Sequence, residues 1–170
     1  MGVSEDVIYV CCADSAVYLR VSGRGTFKNS VPLRVYVQRM LARGVRRFVV
    51  DIGECSGMDS TFMGTLTGIF TRLREAGGGS LDVINVSEKN RELLTELGLD
   101  QLFTIHSDAA DFEKMAQAEP LVSPEKITSA DVHKTVLDAH RSLAEEGHED
   151  NEMRFRDLLD ELRDSSDQNQ

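Results

Sequence analysis

The sequence of 170 residues has no tryptophan, only three prolines, and fewer basic than acidic side chains. Its 19 Lys/Arg and 29 Asp/Glu give a formal net charge of −10. That balance argues against binding to nucleic acid or to anionic membranes, because both need a basic protein surface.

No stretch approaches the roughly 18 apolar residues of a transmembrane helix. The first residues, "MGVSEDVIYV", lack the basic and then apolar layout of a signal peptide. We therefore expect a cytoplasmic protein without membrane insertion.

The few cysteines and histidines form no recognisable metal or disulfide pattern. Cys11 and Cys12 are adjacent, Cys55 stands alone, and no C-x-x-C occurs, as expected in a reducing compartment. The four histidines are not spaced with the cysteines as zinc ligands are. His133 and His140 lie seven residues apart and are expected to be solvated helix residues. We expect neither a metal nor a cofactor.

Residues 1–119 alternate between strand-like and helix-like patterns. The runs "VIYVCC" and "AVYLRV" predict a hairpin, and "RRFVVDI" predicts a strand that is buried on both faces. The predicted order is β-β-α-β-α-β-α-β-α, which implies an α/β fold with a mostly parallel sheet, an antiparallel first strand and covering helices. Helices are predicted near 30–43, 60–75 and 88–97 and from Ser107, with strands at 81–86 and 102–105.

The remaining residues, 120–170, have a different composition. Their net charge is −7, against −3 for residues 1–119. Two prolines in "EPLVSPEKITSAD" predict a linker, and two amphipathic patterns after it predict an acidic helical hairpin with a disordered end, "DSSDQNQ". We therefore expect one domain over 1–119 and a linker with a helical extension over 120–170. The hairpin could cover apolar surface, dock a partner, or act as a flap over Ser60.

Polar side chains collect where the predicted strands end. Functional groups of parallel α/β sheets lie at the carboxyl ends of the strands. Three segments should meet there, namely a loop over Ser22–Ser30, the junction Cys55–Thr61 and the turn Ser87–Asn90. Their small and polar residues are Arg24, Thr26, Asn29, Asp59, Ser60, Thr61 and Ser87.

The sequence offers little for catalysis. No G-x-S-x-G occurs, and among the histidines only His106 lies within 1–119, so a Ser-His-acid triad is not expected. The phosphate-binding patterns G-x-x-x-x-G-K-[ST] and G-x-G-x-x-G are also missing. We expect no catalytic residue and no enzyme activity.

The helix that follows Asp59 has an unusual composition. Asp59 and Ser60 can both cap it, and a phosphate on a serine at a helix N-terminus is stabilised by the helix dipole. Gly64 and Gly68 lie on one side of the helix, with Thr61, Thr65 and Arg72. Interior glycines cost a helix about 1 kcal/mol each. Either close packing against the sheet or a shallow surface for a partner would explain them.

The segment "MDSTFMG", Met58–Gly64, resembles the D-S-[ST]-G-x-G motif of the STAS domain. This family is shared by sulphate-transporter tails and bacterial anti-sigma factor antagonists. The similarity extends upstream to "SGRGTFKNS" and downstream through "AGGGSLDVINVSEKNRELLTELGLDQLFTI", and it covers about residues 5–118. Phe62 stands where many antagonists have glycine.

The resemblance implies a STAS-like sheet flanked by helices and a phosphorylation switch. Ser60 would be phosphorylated by a serine kinase that doubles as an anti-sigma factor, with Thr61 as the secondary acceptor, and a PP2C-type phosphatase would reset it. Unphosphorylated protein would bind the kinase and free the sigma factor, which regulates transcription. The partner-binding residues would be Arg24, Thr26, Asn29, Asp59, Ser60, Thr61, Gly64, Thr65 and Gly68.

Two other interpretations remain open at this point. Scaffold or accessory subunits of stress-signalling and ABC lipid-transport complexes also use STAS-like folds, without phosphorylation. Some family members are reported to bind nucleotides, although this sequence has no phosphate loop.

Overall fold

A seven-stranded sheet forms the centre of the computed structural model, which describes residues 5–107, 112–122 and 126–167. The strand order is β6-β5-β3-β2-β1-β7, and β4 pairs with the end of β2. β1 is antiparallel to β2 and β7, and the other described pairs are parallel. The predicted mostly parallel sheet with an antiparallel first strand is confirmed. The strands are β1 (Val7–Ala13), β2 (Ala16–Gly25), β3 (Arg47–Asp51), β4 (Cys55–Met58), β5 (Ser80–Ile84), β6 (Thr104–Ile105) and β7 (Glu119–Pro120).

Helices cover this sheet, and the main core lies between them and one sheet face. A smaller cluster on the opposite face includes Met115, from a 3-10 turn at Phe112–Gln117. Side chains of β3 are buried on both faces of the sheet. Phe48 and Val50 belong to the main core, and Val49 belongs to the smaller cluster. The prediction of a strand buried on both faces is therefore confirmed. The helices are α1 (Phe27–Ala42), α2 (Ser60–Glu75), α3 (Glu88–Glu96), α4 (Ser129–Glu146) and α5 (Asp150–Asp167).

The predicted loop over Ser22–Ser30 is wrong. β2 continues to Gly25 and α1 begins at Phe27, so only Thr26 separates them. The side chain of Asn29 stabilises this early start, because its Oδ1 accepts a hydrogen bond from the Thr26 N–H at 2.9 Å. The first helix therefore starts three residues before the predicted position.

Two short strands were also missed. Cys55–Met58 lies within the predicted junction but pairs with β2 as β4, with Arg24 opposite Gly57. Glu119–Pro120 lies at the edge of the predicted linker but pairs with β1 as β7. Neither segment is long enough to show a periodic pattern. Of the helix predicted from Ser107, residues 108–111 lie outside the described residues.

α4 and α5 form the predicted C-terminal helices and pack against each other. His133 near the start of α4 is bonded to Ser166 near the end of α5 at 2.9 Å, so the two helices are antiparallel. α5 is helical to Asp167, so the predicted disorder is wrong for residues 164–167, while 168–170 lie outside the described residues. We call α4 and α5 together the hairpin.

The hairpin packs on the rest of the fold. Leu143 of α4 is fully buried in the main core, and Phe155 of α5 packs against that core. At the tip, the Asn151 side chain donates to the carbonyl oxygens of Leu97 and Leu143, both at 3.0 Å. The tip is thereby tied to the end of α3, and α4 lies along α2.

Candidate protein-binding site at the start of helix α2

Asp59 joins the starts of two helices. Its Oδ1 accepts from the Phe62 N–H at 2.8 Å and caps α2, as the sequence predicts. Its Oδ2 accepts from the Phe27 N–H at 2.9 Å, at the first residue of α1. One carboxylate therefore fixes where both helices begin and places Ser60 at the first position of α2.

The three polar segments predicted to meet do lie together. The Lys89 Nζ donates to the Ser56 carbonyl at 2.7 Å, and the buried Asn90 side chain donates to the Cys55 carbonyl at 2.9 Å. On the other side, Arg24 of β2 lies opposite Gly57 of β4. The starts of α1, α2 and α3 therefore share one edge of the sheet. Arg24 is exposed there, while Thr26 and Asn29 are half-buried.

Phe62 points into the protein. Its side chain is fully buried, and its ring lies where a Cβ on Gly25 would be, about 2.5 Å from that position. Gly25 is thus required because the ring packs directly on the β2 backbone. The residue that departs from the commoner motif therefore fills the core and does not lie on the surface beside Ser60.

Ser60 is hydrogen-bonded to a histidine of the hairpin. Its Oγ lies 2.9 Å from His140 Nε2, and His140 Nδ1 lies 2.7 Å from the Val136 carbonyl oxygen. A carbonyl only accepts, so Nδ1 carries the proton and Nε2 accepts from the Ser60 hydroxyl. Burial lowers the pKa of His140, and this outweighs the opposing effects of the Val136 carbonyl and the Asp59 charge. The imidazole is therefore neutral at neutral pH.

The prediction for His140 is wrong in two respects. It is 2 % exposed rather than solvated, and it stands beside Ser60, where no histidine was expected. The signal that could have found it is the spacing of Val136, Ala139, His140 and Leu143, which places all four on one helix face. His140 therefore continues the apolar stripe of α4 that packs on the domain.

The Ser60–His140 pair differs from a hydrolase triad. The group that orients the imidazole is the Val136 carbonyl, one turn earlier in α4, instead of a carboxylate. Both carboxylate oxygens of the nearby Asp59 are bonded to backbone N–H groups. The pair thus serves to join two helices.

The small residues of α2 face α4. A Cβ on Gly64 would lie 2.8 Å from the Ala139 Cβ and closer still to the Ala139 carbonyl, and a Cβ on Gly68 would lie 3.5 Å from Ser142 Oγ. Thr65 is 5 % exposed. The glycines therefore allow close packing, as one of the two interpretations predicted. The element that packs against them is α4, however, and not the sheet. The predicted partner-binding residues Thr61, Gly64, Thr65 and Gly68 are all buried in this arrangement.

Ion pairs flank this helix contact. Arg34 of α1 donates to Asp138 of α4 at 2.8 Å, and both side chains are largely buried. At the other end, Arg74 of α2 binds both carboxylate oxygens of Glu146. The Arg34 pair is the better shielded from solvent, so it contributes more to specificity than the exposed Arg74 pair.

Acidification is expected to weaken the contact between α4 and α2. The pKa of His140 is lowered in the folded state, so the unfolded chain binds the proton more readily. The contact is thus undisturbed above the ordinary histidine pKa of about 6.5 and is progressively destabilised as the pH falls through that value. Thermal unfolding between about pH 7.5 and 5 measures the effect.

The control for this prediction is His140→Gln, which keeps an acceptor for Ser60 but does not titrate. The comparison is between the slopes of stability against pH of the two proteins, which differ only at position 140. The variant should lose less stability than the parent on acidification. Equal slopes would contradict the assignment of a neutral buried imidazole.

The comparisons with known proteins agree with this fold. The profile of the family described as "Mlab, STAS domain" matches residues 11–105, more than half of the chain, so the protein belongs to the STAS family. No curated protein matches it. TM1081 of Thermotoga maritima, provisionally described as an anti-sigma factor antagonist, is similar in structure, with 19% identity and a TM-score of 0.55 over 64% of this chain and 93% of that chain.

Two structures of SpoIIAA are also similar. The unphosphorylated anti-sigma factor antagonist is 21% identical, with a TM-score of 0.52 over 63% of this chain and 92% of that chain. The phosphorylated Bacillus protein, described as a cell fate determinant, is 18% identical, with a TM-score of 0.51 over 63% and 94%. At these identities the likeness establishes the fold alone. The resemblance to the STAS domain is confirmed by the family profile.

Within the described residues, the helices fall short of the length and apolar character needed to cross a membrane.

Proposed function

We propose that this STAS protein is a phosphorylatable anti-sigma factor antagonist that acts by switching partners. Unphosphorylated protein binds a serine kinase that is also an anti-sigma factor, and phosphorylation of Ser60 releases that kinase. A PP2C-type phosphatase restores the binding form. The protein acts in the cytoplasm by binding rather than by catalysis.

The position of Ser60 carries this proposal. It is the first residue of α2, directly after the Asp59 cap, and its hydroxyl becomes accessible to a kinase once His140 moves away. In the transfer, Ser60 Oγ bonds to the γ-phosphorus of ATP, the bond from that phosphorus to ADP breaks, and the hydroxyl proton passes to solvent. The new phosphate carries about −1.5 to −2 charges and lies where the helix dipole favours an anion.

Phosphate mapping tests the proposal. The full-length protein is incubated with ATP and the serine kinase that copurifies with it, and the modified residue is located by mass spectrometry. We expect one phosphate, on Ser60, and complete loss of the signal in Ser60→Ala. Thr61→Val is the matched control, because it removes the neighbouring buried hydroxyl and keeps the side-chain shape. Full modification of Ser60→Ala, or modification lost only in Thr61→Val, would refute the proposal.

A second candidate function is an accessory subunit that is never phosphorylated. The matching profile bears the name Mlab, and the structure buries Thr61, Gly64 and Thr65 under α4, so no free surface is needed to explain them. Isolation of the native complex discriminates between the two. A histidine-kinase-like ATPase supports the antagonist, and an ABC ATPase supports the accessory subunit.

A further inference from the structure

We infer that α4 is a displaceable internal ligand of helix α2, and that it occupies the place where a partner helix binds. The surface concerned is the α2 face, defined by Ser60, Thr61, Gly64, Thr65 and Gly68. The inference rests on the proposed function, because it concerns regulation of the same site. It adds that the hairpin must leave the α2 face before Ser60 is phosphorylated or a partner engages it.

The contact has the form of a close helix pair. Gly64 meets Ala139 backbone to backbone, and Gly68 lies opposite Ser142, with small residues on both helices. A helix of a partner protein with a small residue opposite Gly64 would fit against the same α2 face. α4 itself presents the polar groups that such a helix would need. His140 supplies an acceptor for the Ser60 hydroxyl, and Asp138 supplies a carboxylate for Arg34.

Several of the groups that hold α4 are exchangeable. The hydrogen bond of Ser60 and the ion pairs of Arg34 and Arg74 can be replaced by equivalent groups of a partner or by water. Ala139 of α4 packs against the α2 face. The most deeply buried apolar side chain of α4 is that of Leu143. The hairpin therefore combines a buried apolar anchor, Leu143, with polar contacts that a competing helix can reproduce.

A phosphate on Ser60 does not fit while α4 is packed on the α2 face. Only 2.9 Å separates Ser60 Oγ from His140 Nε2, which leaves room for a hydrogen bond and none for a phosphoryl group. His140 cannot turn away within the hairpin, because the Val136 carbonyl holds Nδ1 and the Phe155 ring packs against it with centroids 5.0 Å apart. With the Ser60 Oγ in this position, addition of the phosphate thus requires α4 to move.

The negative charge of the hairpin also favours its separation from a phosphorylated α2 face. Residues 129–167 hold 12 Asp/Glu and 5 Lys/Arg, for a net charge of −7. A phosphoserine beside Asp59 adds about −1.5 to −2 charges. Repulsion between the phosphate and the acidic hairpin disfavours reclosure, although salt screens it beyond about 8–10 Å. Phosphorylated protein should therefore keep its hairpin open.

Thiol labelling of the full chain tests the inference without any partner. Thr65→Cys places a reporter under α4, in a background of Cys11→Ser and Cys12→Ser. Cys55 is the internal control, since it is buried away from α4 and burial raises its thiol pKa. N-ethylmaleimide is added, and mass spectrometry follows each site separately. Opening of the hairpin alone labels position 65, whereas global unfolding labels both sites.

Two variants open the hairpin by different means. Ser60→Glu places a longer, charged side chain against His140, and Ala139→Leu places a larger side chain against Gly64. We expect each to raise the labelling rate at position 65 by about tenfold or more while Cys55 stays protected, as for a sub-global opening. Lys134→Leu is the control on the exposed side of α4 and should leave the rate unchanged.

Two results would overturn the inference. One is an unchanged rate at position 65 in Ser60→Glu. The other is simultaneous labelling of position 65 and Cys55 in every variant, because the hairpin would then open only with the whole fold. Neither result bears on which residue accepts phosphate, so the proposed function is tested separately by phosphate mapping.

Discussion

Replacement of Phe62 by alanine is expected to lower the free energy of unfolding by about 3–5 kcal/mol, because the ring is fully buried and nothing nearby can fill its volume. The ring packs on the backbone at Gly25, which cannot move inward without disturbing the pairing of β2 with β4. A loss of this size is a large part of the roughly 5–15 kcal/mol that stabilise a typical domain. Urea denaturation followed by circular dichroism measures it.

Phe27→Ala is the matched control for Phe62→Ala. It makes the same chemical change at a phenylalanine that is 40% exposed, and it keeps the backbone N–H that Asp59 accepts from. We expect its cost to stay within about 0.5 kcal/mol, as for ordinary surface positions. Similar losses for the two variants would show that Phe62 is not a core residue.

Substitution of Gly64 by alanine is expected to detach the hairpin or to cost about 1–3 kcal/mol, the usual range for overpacking. The added Cβ would collide with the Ala139 carbonyl, and a backbone atom cannot rotate away as a side chain can. The collision outweighs the gain of about 1 kcal/mol that alanine gives a helix over glycine. Hydrogen exchange of α4, with urea denaturation, measures the effect.

Gly68→Ala is the matched control, one turn further along α2. There a Cβ would meet Arg72 Nη1 at 3.3 Å and Ser142 Oγ at 3.5 Å, and the arginine end can shift. Helix propensity then dominates, so we expect unchanged or higher stability and normal protection of α4. If Gly64→Ala behaved like Gly68→Ala, the close contact between α2 and α4 would be refuted.

Much of the fold can be predicted from sequence, because it depends on local signals. Runs of β-branched, aromatic and apolar residues give β1, β3 and the first part of β2, and the spacing of apolar residues gives α2. Asp59 is one of the two predicted caps, with Ser60, because a carboxylate before an apolar-periodic run accepts from free N–H groups. The match between Met58–Gly64 and the STAS motif places Ser60 correctly at the start of α2.

The errors arise where structure depends on distant residues. β4 forms because the end of β2 offers it an edge, and no pattern of four residues could show that. The place of His140 depends on where the hairpin packs, 80 residues along the chain from Ser60. A helical period shows which face of α4 is apolar, but it does not show which helix that face contacts.

The hairpin changes how a partner-switching cycle would run in this protein. With α4 packed on α2, Ser60 is hydrogen-bonded and half-buried, and the other residues of the α2 face are buried. Under the proposed function a partner helix would compete with α4, and its apparent affinity would be reduced in proportion to the fraction of protein whose hairpin is open. Phosphorylation then has two effects, since it would both remove the partner and prevent α4 from returning.

The rate of Ser60 phosphorylation with the hairpin locked and unlocked tests the central claim most directly. Gly68→Cys and Ser142→Cys, combined with Cys11→Ser and Cys12→Ser, place two thiols across the contact, where a Cβ on Gly68 would lie 3.5 Å from Ser142 Oγ, and an oxidant joins them as a disulfide. With the copurifying kinase and ATP, we predict phosphate on Ser60 in the reduced protein and none in the oxidised protein. Equal rates at Ser60 in both forms, or phosphate only on other residues, would contradict the account.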